Sequence, residues 1–166
     1  EIQTLARLNH SGIAQLYEAG VTDDGMHFFA MELVRGETLS DWLRSRPKGP
    51  VTPAELKLRL GVFRRICDAV AYAHQKGVIH RDLKPGNILI PKPVEGASIQ
   101  DAVPDVKVLD FGLARITDSD VQATTFVTEM GKVRGTLPYM SPEQVRGNPD
   151  EIDLRTDVYA LGVMLY

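Results

Sequence analysis

Residues 52–77, TPAELKLRLGVFRRICDAVAYAHQKG, constrain the fold more than any other stretch, because they carry helix signals at both ends. Thr52 is a capping side chain, Pro53 sits in the first turn, Glu55 is the acid of a capping box, and Gly77 supplies the stop. Between them Leu56, Leu60, Phe63, Cys67, Val70 and Ala73 recur at three- and four-residue steps, which predicts one apolar face turned into a helical core. Cys67 reads as a small buried hydrophobe on that face rather than a reactive thiol.

Around this helix the pattern is mixed. EIQTLARLNH shows helical spacing at Ile2, Leu5 and Leu8 with no cap ahead of it, so the helix is expected to begin upstream. Ile13–Val21 and His27–Val34 flank the turn-forming TDDG and predict an antiparallel hairpin. SDWLRS reads as a short helix entered at Ser40, and RPKGP breaks it. Beyond Gly77 come short β-like pieces, VIH, NILI and VKVLDF, the last two separated by the long polar loop PKPVEGASIQDAVPD. A polar segment from Thr117 to Lys132 leads to SPEQVRG, where Ser141, Pro142 and Gly147 mark the cap, first turn and stop of a short helix. The chain ends inside the apolar run DVYALGVMLY, and both ends look cut, as in a piece of a larger domain.

Composition excludes several classes. A net charge of -3 with no basic stripe argues against a nucleic-acid partner. One cysteine rules out an internal disulfide framework and fits a reducing, cytoplasmic compartment. No apolar run reaches the roughly 20 residues of a membrane span, so no membrane contact is expected from this segment.

Chemistry concentrates where loops meet β-like ends. HRDLKPGN places Asp82, Lys84 and Asn87 within six residues, and such groups are costly to bury unless they share a charged ligand. A phosphate with its metal is one candidate. Asp110, Phe111 and Gly112 follow the next β-like run, and Gly135, Thr136 and Ser141–Glu143 follow later. His80 with Asp82 could form a hydrolytic dyad, but no glycine-flanked serine accompanies them.

Taken together, HRDLKPGN, DFG and GTLPYMSPE, in that order and spacing, resemble the catalytic loop, metal-binding motif and activation-segment end of Hanks-type serine/threonine protein kinases. LARLNHSGIAQLYEAG, MELVRGETL and DVYALGVMLY are similar to that family as well, so the likeness covers essentially the whole chain. It implies an α+β protein-kinase-like fold, in part: residues 1–34 as the remainder of a β-rich N-lobe up to the hinge, and 35–166 as the first part of a helical C-lobe. ATP and Mg2+ would be the cofactors, and the substrate a protein with a Ser or Thr acceptor. Lys84 two residues after Asp82, and Thr136 ahead of the substrate-facing turn, resemble serine/threonine rather than tyrosine kinases.

The resemblance also assigns roles. Asp82 would orient the acceptor hydroxyl and take its proton, Lys84 would reach the transferring phosphate, and Asn87 with Asp110 would hold magnesium. Met31 would line the back of the adenine pocket, backbone groups of Glu32 and Val34 would meet the base edge, Leu89 would pack beneath it, and Asp41 would contact ribose. Arg81 would pair with a phosphorylated activation-segment threonine, Thr128 being favoured over Thr124 and Thr125. Thr136 would bond Asp82 and Lys84. His80 would pack near Phe111, and Gly112 would complete that motif. Asp157 would hold the catalytic-loop backbone, Glu143 would pair with an arginine beyond this chain, and Glu1 would be the helical partner of a phosphate-binding lysine.

The sequence departs from the family pattern in having no G-x-G-x-x-G, and its first lysine is Lys48, beyond the hinge-like stretch. Two expectations follow: a fragment of an active kinase, or a truncated kinase or pseudokinase acting as a binding scaffold. The loop over 91–105 is longer than the family's usual hairpin, and its role is open.

Overall fold

The computed structural model describes residues 8–92, 103–111 and 137–166. The expected opening helix, Glu1, Gly112, Thr128 and Thr136 fall outside the described residues. The predicted hairpin forms as β1 (Leu16–Val21) and β2 (His27–Met31), antiparallel, with a bulge between Leu16 and Glu18. Ile13 does not join β1. It bridges Val108 instead, so the residues just before the hairpin belong to a different part of the molecule.

A second sheet is built from β3 (Gly36–Thr38), β4 (Ile88–Pro91) and β5 (Lys107–Val108), in that order and antiparallel. β3 carried no sequence signal. It depends on Gly36, where a Cβ would lie 2.3 Å from the Ile90 carbonyl oxygen. VIH forms no strand, because the His80 N–H goes to Asp157 instead of to a ladder.

The helices follow their caps, with two differences. Helix α1 (Leu39–Ser45) is entered at Thr38 rather than Ser40, since the Thr38 hydroxyl accepts from the Asp41 N–H. Helix α2 (Pro53–Gln75) is capped by Thr52, yet Glu55 closes no box with it. Its carboxylate takes the charged forks of Arg46 and Arg59 at 2.7–3.2 Å, stronger partners than a neutral backbone N–H. At the other end Val78 N–H bonds Ala73 O and Gly77 N–H bonds His74 O, with Gly77 at φ +74, forming a Schellman stop. Helix α3 (Pro142–Arg146) has the capping box of Ser141 and Gln144 and a left-handed Gly147, and α4 (Leu154–Leu165) is capped by Asp153.

One core joins these elements. Val62, Ile66, Ala69, Val70 and Ala73 of α2 pack with Leu39 and Trp42 of α1, the sheet residues Ile88, Ile90 and Val108, Leu83, Phe111 and Ala160. The buried face of α2 is therefore rotated from the expected one. Leu56 and Leu60 are about half exposed, and Phe63 and Cys67 are half-buried. The helix carries two overlapping apolar stripes, and its contacts choose between them: Gly12 sits against Ala69, and Val103 sits over Gly61 while Arg65 holds Asp105 at 2.8 Å. Burial pushes the Cys67 thiol up and favours its neutral form.

The rotation has a measurable consequence. Ile66→Ala removes side-chain volume from a site 1% exposed and costs about 2–5 kcal/mol. Leu56→Ala costs no more than about 0.5 kcal/mol. Chemical denaturation of both variants in the complete domain checks the order.

Candidate active site

The Schellman stop at Gly77 turns the chain out of α2, and beyond it Val78, His80 and Leu83 are buried while Ile79, Arg81 and Asp82 between them are half-buried. Here lies Asp157, in the first turn of α4 and 1% exposed. Its Oδ2 accepts from the His80 N–H at 2.8 Å and from His74 Nε2 at 2.7 Å, and its Oδ1 accepts from the Arg81 N–H at 2.9 Å. Three donors make a buried carboxylate tolerable. His74 was missed from the sequence; its signal was a polar residue in the last turn of α2, three before Gly77.

His80 is fully buried and its hydrogen bonds define its tautomer. Nδ1 accepts from the Asp82 N–H at 3.3 Å, so Nε2 carries the proton and donates to Leu109 O at 2.7 Å. The ring packs on Phe111 with centroids 4.7 Å apart. Burial pushes the His80 pKa down, opposed by the charge of Asp157. Arg81 (φ +70) and Asp110 (φ +58) are the non-glycine residues in left-handed backbone among the described residues, and both lie in this site. Such strain persists only where the surroundings over-determine it.

Asp82, Lys84 and Asn87 meet. Lys84 Nζ lies 2.6 Å from Asp82 Oδ2, and Asn87 Nδ2 donates to Asp82 O at 2.8 Å and to Asp82 Oδ2 at 3.0 Å. Buried Pro85 sets the 3-10 turn Pro85–Asn87 that folds the amide back onto Asp82. β4 starts directly after Asn87, whose carbonyl accepts from the Leu109 N–H at 2.9 Å, which brings exposed Asp110 alongside. With Nδ2 committed to Asp82, the amide oxygen of Asn87 is the atom left to meet a cation. Among the described residues no three His, Cys, Asp or Glu side chains cluster as a self-sufficient metal site. A hard cation held by Asn87 and Asp110 would draw its remaining oxygens from phosphate and water, a donor set that suits magnesium.

Met31 ends β2 and, with Leu8, Ile13, Leu16, Asp110 and Phe111, lines a cavity of about 20 Å3, room for one water. Glu32 follows. Its N–H donates to Gln15 O at 2.8 Å, so its carbonyl is the group left for a ligand edge. Its carboxylate accepts from Gln15 N–H at 3.1 Å and Lys107 Nζ at 2.8 Å. Burial raises its pKa, but Lys107 and the Gln15 N–H outweigh that and hold it below the usual carboxylate range. Lys107 also donates to Ile13 O at 3.3 Å, a link between the 32–35 segment and β5 that sequence reasoning did not find.

Val34 is half-buried in that irregular segment, and Leu89 is half-buried on β4. Asp41 is exposed and bound to Thr38 Oγ1 and Arg44 Nη1, both at 2.7 Å, so a ribose contact would compete with the cap of α1. Glu143 accepts from Thr156 Oγ1 at 2.8 Å; its own backbone N–H and that hydroxyl hold its carboxyl below the ordinary range.

The chain as a whole is similar to known proteins. The family model for the protein kinase domain matches residues 1–166. The chain belongs to the protein kinase domain family. It is 41% identical to the serine/threonine-protein kinase PknB of Mycobacterium tuberculosis, 42% to pkn3 of Myxococcus xanthus and 36% to PrkC of Bacillus subtilis, each over the whole chain. It spans about a quarter of those relatives, 24%, 28% and 22% of their lengths. The crystal structure of the Mycobacterium tuberculosis PknI kinase domain, a double mutant, shares the fold with a TM-score of 0.63 at 24% identity, over 96% of this chain and 50% of that one. Small antiparallel sheets with helices are thus part of a protein-kinase-like α+β fold. The family uses a nucleotide and a divalent metal. No helix among the described residues is long and apolar enough to cross a membrane.

The kinase-like loop should be acid-sensitive through His80. Above about pH 6.5 the histidine is neutral in folded and unfolded chains alike. Below it the unfolded chain takes up a proton that the folded site resists, so stability falls as pH drops. His80→Asn removes that contribution, and melting temperatures measured between about pH 8 and pH 5 should show a shallower decline.

Proposed function

We propose that this chain supplies the catalytic-loop part of a serine/threonine protein kinase that transfers the γ-phosphate of ATP to Ser or Thr hydroxyls of proteins. The observation that carries this is the contact of Asp82 with Lys84 and Asn87, beside the strand end bearing Asp110. Asp82 orients the acceptor hydroxyl and takes its proton, with its carboxylate aimed by the amide of Asn87. Lys84, already 2.6 Å from that carboxylate, is a mobile point charge that can follow the transferring phosphate. Asn87 and Asp110 hold Mg2+, which when bound offsets charge on the phosphate oxygens.

The base edge meets the carbonyl of Glu32 and the backbone of Val34, with Met31 behind and Leu89 beneath. Asp41 is the ribose contact, exchanging its Arg44 partner for the sugar hydroxyls. Arg81 receives a phosphate on Thr128, and Thr136 bonds Asp82 and Lys84. In this reading residues 1–34 end the N-lobe and 35–166 open the C-lobe, with Asp157 and His80 as the loop's supports.

Asp82→Asn in the complete kinase should lower kcat by about 100- to 10,000-fold, the usual range for a lost general base. The dissociation constant for Mg-ATP should stay near the parent value, read by titration calorimetry. A parallel loss of nucleotide binding would move Asp82 out of the acceptor role.

A further inference from the structure

The amide of Gln144 does two things at once. Its Oε1 accepts from the Ser141 N–H at 3.1 Å, while the backbone N–H of Gln144 donates to Ser141 Oγ at 3.4 Å, closing the capping box of α3. Its Nε2 donates to the carbonyl of Arg81 at 2.6 Å. That carbonyl belongs to the peptide plane joining Arg81 to Asp82, and the N–H at the other end of the plane donates to His80 Nδ1 at 3.3 Å. A peptide plane gripped at both ends cannot swivel.

The preceding plane is held as well, through the Arg81 N–H on Asp157 Oδ1 at 2.9 Å. Left-handed Arg81 is thereby clamped on one side by α4 and on the other by α3. A capping box needs only an acceptor at this position, and Glu would serve as well as Gln. The carboxamide alone offers acceptor and donor together. Gln144 thus does more than the cap requires.

We propose that Gln144 is a positioning residue for Asp82, locking the Arg81–Asp82 peptide to the helix that ends the substrate-facing segment. The proposal rests on the kinase reading above and deepens it: the element that presents the acceptor and the carboxylate that receives its proton are tied by one hydrogen-bonded amide. Displacement of α3 turns the peptide plane and moves Asp82 with it.

The complete kinase with Gln144→Glu and with Gln144→Ala separates the two tasks. Glu keeps the cap but sets an acceptor against the Arg81 carbonyl, whereas Ala loses both. Hydrogen exchange at residues 80–84 should quicken about tenfold in both variants, and at 142–146 in the Ala variant alone. In the Glu variant kcat for phosphate transfer should fall about tenfold with KM for ATP unchanged. Parent-like exchange at 80–84 in the Glu variant, a rise spread evenly over the domain, or parent-like kcat would overturn the proposal. A parent inert with Mg-ATP would sink the kinase reading instead, while exchange at 80–84 would still decide whether Gln144 holds the loop.

Discussion

The buried carboxylate of Asp157 is the interaction on which the rest of the site depends. It sits 1% exposed at the head of α4 and gathers donors from the end of α2 and from two consecutive residues of the loop. Removing the carboxylate would leave buried donors without an acceptor, and removing the donors would leave a buried charge. Neither is tolerable, so helix and loop are held together. That rigidity is what allows Arg81 to stay in a backbone region that costs on the order of 1–3 kcal/mol.

A second constraint brings together residues far apart in number. β4 follows directly from the turn at Asn87, and β5 leads into Asp110, so the antiparallel pairing of these short strands sets one beside the other. Two residues cannot hold a strand alone. β5 is secured from its other edge, where Val108 N–H bonds Gly12 O and Ala14 N–H bonds Val108 O, and Lys107 reaches Glu32 and Ile13. The hairpin, the 32–35 segment and the Asp110 strand end therefore share one junction.

The differences from sequence expectation have one kind of cause. Glu55 carries the capping-box pattern, yet Arg46, nine positions earlier, and Arg59 offered charged partners. Spacing on α2 allowed two apolar stripes, and the choice fell to Gly12, Val103 and the sheet. β3 had no pattern of its own and exists because Gly36 lets the backbone close on Ile90. In each case a partner distant in sequence outweighed a local preference.

Short-range chemistry was legible without coordinates: the caps at Thr52 and Ser141, the stops at Gly77 and Gly147, the hairpin around the TDDG turn, and the grouping of Asp82, Lys84 and Asn87 within one turn of chain. These depend on atoms a few residues apart, and residue type with spacing determines them. The tertiary structure alone decided which face of α2 is buried, which donors Asp157 collects, that Lys107 joins Glu32, and that Gln144 grips Arg81. Such contacts join positions tens of residues apart, and only the competition of all buried groups for partners selects them.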